Sequence, residues 1–301
     1  MAITFKNIQD IILDKIDVDD ATTLGYVKQF INMAGRDIWT AHPWFERYDE
    51  AEITTVAPYS TGTITATKGS TTVTGSGTSF PTTIVNYETK FARSISDPWY
   101  AIASRGSATS LTLETAYAET STGAGADYVL YWDTYPLSAT VDELVDVRLI
   151  KPNYDGSMTQ VLEKRMDEAV YIPGHSGVPG VYCLAHGRQD TKHIRLWPVP
   201  DDTYRIRYKF LKEYEDMVND ADESVIPESR RDLLICGALI HAFRLRDQYD
   251  KAAIEEVRFS RMLEEHWRRE KPSATVPARL QRFDQRARPR DPFDISTIGI
   301  N

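Results

Sequence analysis

From residue 60 to residue 83, 18 of 24 residues are Ser, Thr or Gly, and Lys and Arg become sparse. This break divides the chain, and its meaning depends on whether it is a linker or folded structure. A disordered linker would lack the alternating and β-branched pattern seen in GTITAT (62–67), STTVTG (70–75), WYAIAS (99–104), SLTLET (110–115) and DYVLYW (127–132). Each of these runs is bounded by Gly, Ser, Pro or Asp. The pattern predicts several short antiparallel strands over 52–134, closed as a small barrel or sandwich. The competing reading is a low-complexity Thr/Ser stalk, against which the recurring aromatics argue.

The flanks read differently. Phe5, Ile8, Ile12 and Ile16 fall at helical spacing, as do Leu24, Val27, Ile31, Ala34 and Ile38, with Thr4 and Asp20 as candidate N-caps. Pro43 disfavours a helical backbone at His42, so the second helix should stop near Ala41. After Tyr135-Pro136, strands are expected at 144–150, 180–185, 193–198 and 204–211, separated by turn signals such as NYDGS and VPDD. A helix over 228–248 is apolar around much of its circumference and must be buried. A further helix over 249–271 carries Phe259, Met262, Leu263 and Trp267 on one side and Glu264/Arg268 and Glu265/Arg269 pairs on the other.

The expected fold class is therefore α+β: a helical bundle core of about four main helices built from 1–51 and 135–271, the β insert 52–134, and an extended segment 272–301. That last segment holds Pro272, Pro277, Pro289 and Pro292, five arginines and isolated apolar residues. Prolines at this density favour an extended chain. It reads either as a docking arm that orders on a partner or as a frayed terminus.

With 301 residues, the length is that of about two domains. The formal charge of −9 makes binding of nucleic acid by the whole surface unfavourable. Two cysteines, Cys183 and Cys236, are too few for a disulfide framework, as expected of a protein made in a reducing cytosol. The N-terminal run MAITFKNIQDIILDKIDVDD lacks the unbroken apolar core of a signal peptide, and no stretch is apolar for long enough to span a bilayer.

The search for chemistry returns little. No GxxxxGK[ST] phosphate loop and no GxSxG elbow occurs. Cys183 and His186 have ligand-like spacing, but no second tight pair completes a zinc site, so Cys183 reads as a packed strand residue. Cys236 and His241 lie on the buried helix and read as interior residues. The acidic cluster Glu213, Glu215 and Asp216 reads as a solvated turn after a strand. No catalytic centre, metal or cofactor is expected, and the balance favours a protein that binds and assembles.

The order of elements then becomes informative. The helical pair ending in DIWTAHPW (37–44), the Thr/Gly-rich β insert, the strand pair LWPVP (196–200) to YRIRY (204–208), and VIPE (225–228) opening a buried helix together resemble the head-to-tail adaptor (connector) proteins of tailed bacteriophages. The resemblance spans most of the chain and is strongest over 195–269. It implies a virion neck protein made in the host cytoplasm, non-enzymatic and without a membrane partner. Such proteins form a ring, usually of twelve copies, between the portal protein ring and the tail or nozzle proteins. DNA passes through the lumen without being read.

It also implies that the C-terminal segment contacts the portal. The contact residues would be Arg279, Leu280, Arg282, Phe283, Arg286, Arg288, Arg290, Phe293, Ile295 and Ile298. Guanidinium groups suit bidentate contacts to carboxylates, and the aromatic and aliphatic residues would be the buried anchors. Ring formation would cover the helix 228–248 by a heterologous interface, unless the strands 144–211 cover it within one subunit. A reading of another class makes the β insert a receptor- or carbohydrate-binding module of the tail, with Trp99, Tyr100, Tyr131 and Trp132 stacking on sugar rings. A third is a cell-wall hydrolase delivered with the tail.

Overall fold

The computed structural model describes residues 4–17, 20–84, 88–151, 154–160, 175–186 and 192–270. The fold is mixed α+β and divides into two compact units, one from Met1–Trp44 with Asp216–Asn301 and the other Phe45–Glu215.

Among the described residues the first unit holds four α-helices: α1 (Phe5–Ile16), α2 (Ala21–Ala41), α3 (Arg231–Leu245) and α4 (Tyr249–Glu270). The first two begin at the expected caps. The Thr4 hydroxyl accepts the Asn7 N–H and the Asp20 carboxylate accepts that of Thr23, satisfying donors that the first turn leaves free. Helix α2 stops at Ala41 because His42 is extended, with φ −146° and ψ 156°, as the residue before Pro43 should be. Helix α3 opens three residues later than expected, after a 3-10 turn at Glu228–Arg230 that follows Pro227.

Leu233 to Phe243 of α3 are all buried except His241. Their cover comes from α1, α2 and α4 of the same unit. Neither neighbouring copies nor the strands 144–211 are required for it, so this helix supplies no argument for oligomerisation. The packing is close. A Cβ on Gly237 would lie 2.9 Å from the Ala34 Cβ and 3.0 Å from the Phe259 ring, which is why a residue without a side chain sits where α2, α3 and α4 meet.

Among its described residues the second unit holds strands and a 3-10 turn at Phe45–Arg47. One sheet has the order β1 (Tyr48–Thr54), β16 (Arg205–Lys212), β9 (Val141–Lys151), β10 (Tyr154–Ser157). Its register sets Ile53 against Ile206 and Leu149, all buried, and Glu52 against Arg207 and Arg148, all polar. The alternation in RIRYKFLK is thus the signature of one buried and one solvated face. On the solvated face Glu52 accepts hydrogen bonds from both Arg205 and Arg207.

A six-stranded antiparallel sheet has the order β2 (Thr63–Ala66), β3 (Thr72–Ser76), β6 (Ser110–Leu113), β5 (Tyr100–Ser107), β4 (Lys90–Ala92), β7 (Val129–Tyr131). The bridges Tyr59 to Leu130 and Ile64 to Ala126 bring its two outer strands together, so the sheet curls until its edges meet. Gly62, at φ +79°, passes so close to Gly77 that a Cβ would lie 2.6 Å from that backbone, which accounts for glycine at this turn. A third sheet follows the order β11 (Thr159–Gln160), β13 (Val181–His186), β14 (Lys192–Trp197), β8 (Thr134–Pro136), and β12 (Ser176–Gly177) pairs with β15 (Val199–Pro200).

The strands expected over 62–132 are present, with β4 added. They are not a core of their own. Ile64, Phe91 and Leu130 share one hydrophobic cluster with Leu144, Ile194 and Ile206, and β1 crosses residue 51 while pairing along its length with β16. Strands on both sides of Tyr135-Pro136 therefore bury their apolar faces together.

Candidate assembly interface

The described residues end at Glu270, the last residue of α4. The expected portal-contacting residues Arg279, Leu280, Arg282, Phe283, Arg286, Arg288, Arg290, Phe293, Ile295 and Ile298 lie outside them, as does the rest of 271–301. The structure instead describes the root from which that segment departs, and this root is firmly built.

Glu270 is ion-paired to Arg230, a residue only 4% exposed. The Arg230 guanidinium lies 4.2 Å from the centroid of the Trp44 ring. Trp44 is fully buried, donates its indole N–H to the Ile38 carbonyl at 2.6 Å, and meets Trp267 edge-on at 5.8 Å. His42 completes the cluster, stacked on Trp267 at 4.6 Å with the rings 4° from parallel. A planar cation on an aromatic face and a charge-assisted pair at partly desolvated sites are each stronger than their solvent-exposed counterparts. The cluster locks the C-terminal end of α4 to the end of α2 and the start of α3. Burial pushes His42 and His266 below the ordinary histidine value, and Arg230 and Arg269 beside His266 push it the same way.

The segment leading into α3 is fixed to α2 by polar clamps. The Asn32 amide donates to the Met217 carbonyl at 2.9 Å and accepts the Met217 N–H at 3.1 Å. Arg36 pairs with Asp216, and Lys28 with Asp220 at 2.9 Å. Asp222 accepts the N–H groups of Val218 and Asn219, both at 2.7 Å. Carboxylates of the acidic stretch thus hold a turn in place.

Among the described residues of this unit, apolar side chains are open on α4 and in a groove. Tyr249, Ile254 and Val257 of α4 are 62%, 68% and 72% exposed. A groove of about 420 Å³ is lined by Ile16, Tyr26, Val27, Phe30 and Leu245, with Arg246 and Asp20 among its polar groups. The inner side of α4 is as expected, and Glu264/Arg268 and Glu265/Arg269 pair on its outer side at 3.1 and 2.5 Å.

The other residues singled out from the sequence sit in packed surroundings. Tyr100, Tyr131 and Trp132, expected on the sugar-binding reading to be exposed, are 8%, 0% and 2% exposed, and Trp99 alone of the four is open, at 44%. Tyr100 and Trp132 pack in one hydrophobic cluster and Tyr131 in another with Ala92, Val129 and Val199, so the chain is covered on both sides there. Cys183 is buried beside Val181 and Trp197, and His193 hydrogen-bonds Glu88 at 2.8 Å. Burial and the neighbouring Glu255 push the Cys236 thiol up to about 12, which leaves it protonated at neutral pH. His241 stacks on Phe30 at 5.7 Å, and burial pushes it below the ordinary histidine value. Among the described residues no group of three or more His, Cys, Asp or Glu side chains is placed to hold a metal ion, and no helix is long and apolar enough to cross a membrane.

The arm root was not read from the sequence as a site. Its one signal was DIWTAHPW, where two tryptophans and a histidine cluster around a helix end.

Among the described residues the chain thus has one unit of packed helices, whose last helix end is anchored by a buried cluster, and a second unit built mainly of strands. The SU10 adaptor protein family model matches residues 87–282, more than half of the chain, and the chain belongs to that family. It is accordingly a phage adaptor and a component of the virion. No curated protein matches it.

Proposed function

We propose that this adaptor works at the head-to-tail junction, as a non-enzymatic neck protein. In this reading it forms a ring, with twelve copies expected, beneath the portal protein and around the DNA exit channel, and offers a platform to tail or nozzle proteins. The arm 272–301 makes the portal contact, its arginines pairing with portal carboxylates and Phe283, Phe293 and Ile295 filling apolar pockets. DNA passes through without base readout, and the overall charge of −9 is consistent with a lumen that does not retain phosphates.

The observation that carries this reading is the arm root. A helix end held by Arg230, Trp44, Trp267 and His42 gives a basic, aromatic-bearing segment a fixed point of departure. Deleting residues 272–301 should leave the thermal transition of the helical unit intact and abolish attachment to purified portal rings. Unimpaired attachment of a folded deletion variant would remove the arm from the account. The sugar-binding reading has lost three of its four aromatics to the core.

A further inference from the structure

A cleft of about 210 Å³ lies beside the arm root, floored by Ile8, Ile226 and Leu234 and bordered by Glu223, Glu228 and Arg231. Glu223 and Glu228 are exposed. Glu228 belongs to the 3-10 turn Glu228–Arg230, whose last residue pairs with Glu270 at the end of α4. The cleft and the departure point of the C-terminal segment are therefore neighbours. One carboxylate oxygen of Glu270, at the end of α4, is also buried with no hydrogen-bond partner among the described residues.

Charge separates the segment from the body. Residues 271–301 contain Lys271 and five arginines against three aspartates, a net +3, which leaves residues 1–270 at −12. The near part of the segment reads Arg279-Leu280-Gln281-Arg282-Phe283 and so alternates cations with apolar side chains. An apolar floor whose rim carries two carboxylates, Glu223 and Glu228, against one guanidinium, Arg231, and so is net negative, is the complement of that pattern. Reach is no obstacle, since the nine residues from Glu270 to Arg279 span up to about 30 Å when extended.

We infer that in the unassembled subunit residues 279–283 dock in this cleft of the same chain, with Leu280 or Phe283 on the floor and Arg279 and Arg282 against Glu223 and Glu228. The occupant is the chain's own segment because a tether this short gives an effective concentration in the millimolar range, above that of any second copy in solution. Docking would cover the arm's anchors until a partner with a better surface displaces it. The inference concerns the free subunit and goes beyond the portal reading, since an arm that docks here need not contact a portal, nor the reverse.

The test is chymotrypsin cleavage after Leu280 and Phe283 in the full-length protein at low salt, where cutting follows the undocked population. Glu223→Gln/Glu228→Gln and Arg279→Gln/Arg282→Gln should each be cut about tenfold faster than the parent, and 0.5 M salt should speed the parent alone. The arm variant cannot unfold the body, so it guards against a trivial effect of the cleft variant. The reciprocal exchange Glu228→Arg/Arg282→Glu should regain protection that either single change loses. Equal cleavage rates in parent and variants would overturn the inference. Protection that rises with protein concentration alongside a doubled mass would also overturn it, by making the occupant the arm of a second copy.

Discussion

Asp133 is the most heavily constrained carboxylate described, 2% exposed at its side chain, with Lys90 at 2.5 Å, Arg195 at 3.3 Å and the Thr134 hydroxyl at 2.9 Å. Burial alone would raise its pKa, but the two cations and its hydrogen bonds hold it below the ordinary 3.8. Lys90 in turn sits 4.3 Å over the Trp99 ring. Removing one partner of such a cluster strands the other charges in the interior. Asp133→Asn should therefore cost about 3–5 kcal/mol in urea unfolding at pH 7. Because the folded pKa is depressed, the stabilisation is complete above 3.8 and is lost only as pH falls through the folded value, so the deficit should be unchanged at pH 5.5. A deficit that shrinks between pH 7 and 5.5 would contradict the assignment. Nothing local in the sequence marks this cluster, because Lys90 and Asp133 are 43 positions apart and Asp133 and Arg195 are 62 apart. The register of β8 against β14 brings Arg195 beside Asp133, and that of β4 against β7, which sets Lys90 against Tyr131, brings Lys90.

Helices and strands were legible wherever local chemistry decides. Thr4, Asp20 and Pro43 set the limits of α1 and α2, and alternation set β16. What could not be read is partnership. The all-round apolar character of α3 says that it is buried but not by what, and the answer lies in contacts with α1, α2 and α4, far apart in the chain. The aromatics of β5 and β7 were ambiguous for the same reason, since the local pattern does not say that Val129, Leu130 and Tyr131 are covered on both faces. Gly237→Ala forces the Ala34 and Phe259 contacts apart and should destabilise the helical unit by about 1–3 kcal/mol, measured by chemical unfolding; a neutral result would show that the crossing is looser than described.

The same helical unit carries His42, His241 and His266, whose pKa values are depressed by burial. The unfolded chain binds more protons than the native one below the ordinary value of 6.5, so stability should decline as pH falls through 6.5 toward the folded values. The slope of stability against pH between 7 and 5 should flatten in a His42→Gln/His241→Gln/His266→Gln variant. An unchanged slope would place the titrating groups elsewhere.

The molecule joins two units of different kind. Among the described residues a helical unit packed around α3 holds the arm root, and a second unit built mainly of strands buries Tyr100, Tyr131 and Trp132 and carries paired charges on one sheet face. Family membership makes this a phage adaptor; the head-to-tail position is what we propose on the strength of the arm root, and it is the central claim. Light scattering of the purified protein, alone and titrated with its portal ring, tests that claim most directly. The account predicts a subunit that converts on the portal to a saturable complex, with added mass corresponding to twelve copies, and no such conversion in the 272–301 deletion. Absence of any association across salt conditions, or equal association by the deletion variant, would contradict it.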